Sequence, residues 1–250
     1  MLYGVYLSAT GMAINQHKQD VVANNLANVD TAGFKRDLAV FQERMPEARS
    51  AGKERFLPSN LKNSTGGVFV SKIHTDFTPG AMEVTNRNLD IAINGNGFLM
   101  VQDGEEVRFS RDGRLGIVHG RLVREIDGKA VLDDQGHEIF VPDVARKDIQ
   151  IDSNGTIRVR NEEVARLGVA DFEQPQNLRK VGGNLFSAMG QEYFLVDTPI
   201  MSETIEMSTV NPAKELVEMI KLSRSFQLNA EMLTLQDQTL SRLVSELPKV

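Results

Sequence analysis

The residues able to do chemistry are few here, and their spacings are unhelpful to a catalyst. The four histidines, His17, His74, His119 and His137, include no pair at i+3 or i+4, so no local zinc ligand set exists. His119 and His137 sit in or beside expected turns, where solvation is the ordinary role. Asp133, Asp134 and Glu138, and then Asp152 and Asn154, resemble scraps of a calcium loop. Neither group completes the alternating oxygen ligands with a closing glutamate. Asn94-Gly95-Asn96-Gly97-Phe98 is glycine-rich, yet no Lys-Ser/Thr follows and no third glycine opens a helix, as a phosphate cradle requires. Lying between LDIAI and FLMV, it reads as a hairpin. There is no cysteine, which removes disulfides, thiolate metal sites and a cysteine nucleophile. No Gly-x-Ser-x-Gly elbow occurs, although a triad assembled in space leaves no trace in spacing. With no Trp and three Tyr, an aromatic stacking platform also lacks support. No catalytic, cofactor-binding or metal-binding residue is assigned, and the expected cofactor complement is none.

One polar cluster stands out instead. ANNLANVDTAGFKRD, residues 23–37, places Asn24, Asn25 and Asn28 at the end of a helical pattern, although asparagine amides compete for the backbone inside helices. No acid, base or metal partner is near in sequence, so catalysis by them is not expected. Asn28 through Gly33 reads as the helix end, with Gly33 releasing the chain. Asn24 and Asn25 either bond across a helix seam or to the backbone at that exit, or are solvated.

The elements that must position these residues follow three patterns. At the C-terminal end, Leu216, Met219, Ser223, Phe226, Ala230, Leu233, Asp237, Leu240, Val244 and Leu247 recur at 3–4 spacing, a heptad-like stripe. Asn211 suits its N-cap, Pro212 the first helical position, Glu215 the positive end of the dipole, and Pro248 the stop. At the N-terminal end, Val5, Ala9, Met12, Gln16, Gln19, Ala23 and Leu26 repeat the spacing, with Gly4 and Gly11 lowering helix propensity. Between them, glycines after Asp103, Asp112, His119, Asp127, Gln135 and Asn154 punctuate short apolar runs, as turns of a β-meander, sandwich or barrel do. Residues 42–67, with prolines, glycines and many charges, read as a connector. The fold class is therefore α+β, with N- and C-terminal helices forming a coiled-coil assembly domain and a central all-β domain. Residues 1–34 with 205–250 form the discontinuous helical domain, 35–75 the connector, and 76–204 the β domain.

A net charge of −6 and a pI near 5.4 give no basic footprint for nucleic acid. Residues 1–44 and 211–250 are each electrically balanced, which permits packing against copies without net repulsion, although chance in short windows explains it as well. No apolar run is long enough to span a membrane, and MLYGVYLSATGM lacks the pattern of a secretory signal. A helix cannot bury a long apolar stripe alone. The two terminal helices could pair with each other, cover the β domain, or pack against other copies.

The sequence resembles bacterial flagellar rod and hook proteins in three places. Asn24, Asn25, Leu26, Ala27, Asn28, Thr31, Gly33, Phe34 and Lys35 match the N-terminal signature of the flagellar basal-body rod protein family, with SATGM upstream also similar. NRNLDIAINGNGFLMV, residues 86–101, resembles the opening of that family's β domain. IEMSTVNPAKELVEMIKLSRSFQLNAEML, residues 205–233, is similar to its C-terminal helix, with Thr209 where Asn is common. The resemblance implies a structural subunit of the rod in the periplasmic portion of the flagellar basal body, exported by the type III apparatus without a cleaved signal. It implies a helical homopolymer whose terminal helices line a central channel, with adjacent rod and hook proteins as partners and no membrane insertion. The subunit-interface residues expected on this basis are Val5, Met12, Asn24, Asn25, Leu26, Asn28, Gly33, Phe34, Leu216, Met219, Phe226, Ala230, Leu233, Leu240 and Val244. A length near 250 residues suits the proximal or distal rod types rather than a typical hook protein, and the early motifs and the long 42–67 connector look more like the distal rod type. The proximal type or a hook-like axial protein stays open, as does a β-domain cell-wall hydrolase, a rival of a different class.

Overall fold

The computed structural model describes residues 2–43, 67–142 and 148–246. It divides into two compact units, residues 1–27, 37–75 and 211–250 in the first and residues 28–36 and 76–210 in the second. The first unit holds helix α1 (Leu2–Ala27), strands β1 (Asp37–Glu43) and β2 (Val68–Thr75), and helix α2 (Pro212–Glu246). Residues 28–34 and 205–210, which the sequence pattern groups with the terminal helices, lie in the second unit.

α2 begins as its sequence requires. Asn211 Oδ1 accepts from the Lys214 amide at 3.1 Å, and Pro212 occupies the first helical position, where no amide donor is missed. α1 and α2 pair antiparallel. Facing residues sum to 240: Gly4 with Gln236, Gly11 with Asn229, Asn15 with Ser225, Asn25 with Glu215. On α1 the less exposed face runs through Gly4, Ser8, Gly11, Asn15, Lys18, Val22 and Asn25, one residue ahead of the apolar stripe Val5 to Leu26. The offset has a physical cause. Small and amide residues make the seam, so hydrophobicity does not mark it.

Part of the expected connector is strand. β1 and β2 pair antiparallel from Asp37↔Thr75 to Glu43↔Val68, with a bulge at Val40/Phe41. Thr75 Oγ1 donates to Asp37 Oδ1 at 2.7 Å, and Lys18 Nζ lies 4.7 Å from the Phe41 ring centroid. The remainder of the expected 42–67 loop, residues 44–66, lies outside the described residues, as does Leu247.

The second unit is antiparallel β structure. Its largest sheet contains β5 (Phe98–Asp103), β6 (Glu106–Ser110), β12 (Val169–Asp171), β13 (Arg179–Gly182), β14 (Leu185–Ser187) and β15 (Phe194–Leu195), in the order β13-β14-β6-β5-β12-β15. β5 is buried on both faces. Phe98 and Met100 enter an aromatic core with Phe109, Phe172 and Phe186, while Leu99 enters an aliphatic core with Ile91, Leu115 and Ile157. That burial explains an uninterrupted apolar run rather than an alternating one.

The hairpin expected at Asn94–Gly97 does not form. β4 (Ile91–Ile93) pairs with β16 (Ile200–Ser202), and β5 pairs with β6 and β12. Gly97 is needed instead because a Cβ there would stand 2.7 Å from Val169 Cγ1. Most of the other turn glycines behave as read, with positive φ at Gly104, Gly120, Gly128, Gly136 and Gly155. Gly113 differs: its φ is not positive, and a Cβ would meet the Ile91 carbonyl oxygen at 1.8 Å.

Candidate assembly site

In the first unit the seam between α1 and α2 is held by polar contacts. Asn15, 8% exposed, donates from Nδ2 to Ser225 Oγ at 2.9 Å. An ideal Cβ at Gly11 would lie 3.0 Å from Asn229 Nδ2, and one at Gly4 would lie 2.9 Å from Gln236 Nε2. The two glycines that weaken α1 locally are the notches that seat amides from α2. At the far end, Asn25 is 1% exposed and uses its amide twice on one residue, donating to Asp37 O and accepting from Asp37 N, both at 2.9 Å. Its Nδ2 also approaches Glu215 Oε2 at 3.4 Å. Asn25 thus fastens the entry of β1 and touches α2 at one point, the buried Glu215 of its otherwise exposed first turn. Asn24 faces solvent on the same helix.

Residues that the sequence marked are dispersed. Val5, Met12 and Leu26 are half-buried on α1; Met219, Phe226, Ala230, Leu233 and Leu240 are half-buried on α2; Leu216 and Val244 are exposed. The buried line of α2 runs through Glu215 and Leu222, to one side of the expected stripe. Turned away from that line is a second apolar stripe, Val217, Ile220, Leu228 and Leu235, each more than half exposed. Contiguous exposed apolar surface of this kind marks an interaction face.

From Asn28 onward the N-terminal signature belongs to the second unit, where Asn28 and Thr31 are half-buried and Gly33, Phe34 and Lys35 are buried. Thr31 N donates to Asn28 O at 3.2 Å and Thr31 Oγ1 to Asn28 Oδ1 at 3.3 Å, closing the turn after α1. Gly33, at φ +65°, passes so close to Arg111 that a Cβ would meet its carbonyl carbon and oxygen at 2.3 Å. The segment then zips onto the residues preceding α2. Gly33 N donates to Glu206 O at 2.6 Å, Thr209 N to Phe34 O at 3.1 Å, and Arg36 N to Thr209 Oγ1 at 2.9 Å. The threonine at 209 supplies that acceptor from its hydroxyl. Phe34 is buried beneath Lys180, whose Nζ lies 4.0 Å from the ring centroid.

Beside this zipper lies a buried ionic cluster that sequence reasoning missed. Lys35, fully buried, donates from Nζ to Glu206 Oε1 at 2.5 Å and to Thr78 O at 2.8 Å. Gly80 N donates to the same Glu206 oxygen at 2.8 Å, and Arg111 Nη1 lies 3.5 Å from Glu206 Oε2. Burial pushes the Lys35 ammonium below the usual lysine value, and the Glu206 carboxylate opposes that shift without cancelling it. Burial lowers Arg111 in the same way, with Glu206 and Asp171 opposing. Apart from Arg111 Nε, which is buried without a hydrogen-bond partner, the charged groups face one another and are closed off from water, so the cluster is a structural clasp rather than an open reaction centre. Its only sequence signal is that Lys35 ends the Gly-Phe-Lys of the signature. Among the described residues no group of three or more His, Cys, Asp or Glu is placed to hold a metal ion, and no helix is long and apolar enough to cross a membrane.

Comparison with known proteins matches these same segments. Residues 6–35 match the family model "Flagella basal body rod protein", residues 92–159 "Flagellar hook protein FlgE/F/G D1 domain", and residues 201–246 "Flagellar basal body rod FlgEFG protein C-terminal". The chain is 33% identical over 267 residues to the flagellar basal-body rod protein FlgG of Buchnera aphidicola subsp. Acyrthosiphon pisum, covering 97% of this chain and 99% of that one. It is 29% identical over 262 residues to FlgG of Bacillus subtilis, covering 98% and 99%. It is 30% identical over 233 residues to the rod protein FlgF of Caulobacter vibrioides, covering 92% and 91%. With end-to-end similarity at this level, and with both terminal motifs in their matching places, this chain belongs to the flagellar basal-body rod protein family.

Proposed function

We propose that the chain is a structural subunit of the bacterial flagellar rod, of the distal, FlgG type, and that it acts by packing rather than by catalysis. Its terminal helices polymerise with other copies into a helical tube that transmits torque to the hook and lines the export channel. Adjacent rod and hook proteins cap that polymer. It reaches the periplasmic part of the basal body through the flagellar type III apparatus. The observation that carries the reading is the second apolar stripe of α2, exposed in the single chain although α1 already covers the other face. A helix with two apolar sides needs two sets of partners, and a polymer of like subunits supplies the second. The similarity to FlgF favours one alternative, a proximal rod subunit.

Complementation of a strain lacking this gene tests the proposal. The full chain restores rods and swimming, while chains lacking residues 1–30 or 211–250 do not. Motility with either truncated chain would sink the reading. Labelling the subunit in electron micrographs of basal bodies separates the two rod positions. Glycan cleavage by the purified protein, lost on one Asp or Glu substitution, would instead support a hydrolase.

A further inference from the structure

The glycine notches of the helix seam repeat at seven residues on both sides, Gly4 and Gly11 on α1, Asn229 and Gln236 on α2. Seven residues is the heptad, so a slip of one heptad seats a glycine beneath an amide again. With facing residues summing to 247 instead of 240, Gly11 would lie under Gln236 and the helices would still pack. Gln236 Oε1 has no hydrogen-bond partner among the described residues, so its notch supplies shape and not a bond from that oxygen. The notches alone cannot choose the register.

Asn15 breaks the degeneracy. In the observed register its buried amide donates to Ser225 Oγ at 2.9 Å. In the slipped register the facing residue is Met232, which leaves an amide donor in the seam without an oxygen acceptor, a cost well above that of losing one solvated bond. The opposite slip, summing to 233, sets Asn25 against Ser208, which precedes α2, so the last turn of α1 loses its partner.

We propose that Asn15, acting with the Asn25–Glu215 contact that the same slip would break, is a specificity-determining residue for the register of α1 against α2. It thereby fixes where the exposed stripe around Ile220 and Leu228 stands along α1. That consequence for assembly rests on the rod reading; the register itself does not.

The chain has no native cysteine, so introduced thiols are unique. In the purified full-length chain, Ser8→Cys with Met232→Cys reports the observed register (8 + 232 = 240), and Ser8→Cys with Thr239→Cys the slipped one (8 + 239 = 247). A short bifunctional thiol reagent joins the first pair and not the second. Adding Asn15→Leu, which suits Met232 and orphans Ser225, shifts the ratio of the two products about tenfold toward the slipped pair. Asn15→Ser, which keeps a hydroxyl donor, leaves the ratio near that of the parent. An unchanged ratio with Asn15→Leu overturns the proposal, as does slipped product from the parent. Loss of both products with Asn15→Leu also overturns it, because Asn15 would then hold the pair together rather than choose its register. The cross-link is read on single chains, so its failure is distinct from a failure to build rods.

Discussion

Lys35 and Glu206 stand 171 positions apart in sequence, yet the lysine ammonium lies 2.5 Å from the glutamate carboxylate with both side chains excluded from water. One belongs to the N-terminal signature and the other to the segment that leads into α2. Their pairing ties the two ends of the second unit together, alongside the backbone zipper from Gly33 to Thr209.

Breaking that pair on one side is expected to be costly. Lys35→Met leaves the Glu206 carboxylate buried, with Arg111 and the Gly80 amide as its remaining charged and polar neighbours. Loss of one member of a buried pair costs about 3–5 kcal/mol. Urea denaturation followed by the fluorescence of Tyr193, packed 5.2 Å from the Phe109 ring in the same unit, measures it. A loss under about 1 kcal/mol would show that Arg111 alone satisfies the carboxylate.

The same lysine gives the protein a pH dependence of defined sign. Its folded value lies below the ordinary lysine value of about 10.4, so the unfolded chain binds more protons in the window between them. Stability from this group therefore rises with pH through that window and reaches its full value above about pH 10.4. Thermal melts from pH 8 upward should show the wild type gaining stability relative to Lys35→Met. A difference that stays flat or falls with pH would contradict the burial of a charged ammonium.

Glycines that look alike in sequence should differ sharply on substitution. Gly113 and Gly128 each follow an aspartate. Gly128 has φ +69° and open space around it, so Gly128→Ala carries only the backbone strain, about 1–2 kcal/mol. Gly113→Ala drives a methyl into the Ile91 carbonyl oxygen, and costs at least about 3 kcal/mol through displacement of β4. Paired denaturation curves decide it, and equal losses would mean that the backbone near Ile91 yields.

What the sequence made legible follows the range of the interaction involved. The cap at Asn211, the proline after it and most of the Asp-Gly and Asn-Gly turns are decided within four residues, and the structure has them. Asn94–Gly97 does not make the local turn its composition suggests because Gly97 serves a close approach to Val169 and Gly95 one to Thr198, both far away in sequence. The helix seam kept its 3–4 spacing but moved by one residue on α1. Apolar spacing points to a neighbouring face, whereas the seam is made of Gly4, Gly11, Asn15 and Asn25, with Val22 its one buried aliphatic among the described residues. Gly33 and Phe34, expected at a subunit interface, are buried inside the second unit because the groups that cover them, Arg111 and Glu206 for Gly33 and Lys180 and Thr209 for Phe34, lie far downstream in sequence.

The two sides of α2 give the last prediction. Leu222 is buried against the seam, whereas Ile220 and Leu228 are more than half exposed on the other side. An aspartate at Leu222 places an unpaired charge in a packed interior and is expected to unfold the helix pair in the isolated chain. An aspartate at Ile220 or Leu228 stays in water in the isolated chain and should change its stability by no more than about 0.5 kcal/mol. In a polymer that covers the second stripe, that charge becomes buried and assembly stops. Circular dichroism of the purified variants and electron microscopy of rods from complemented cells separate the two effects. Normal rods from Ile220→Asp and Leu228→Asp would mean that the second stripe remains exposed after assembly, and another surface of the chain would have to carry the polymer.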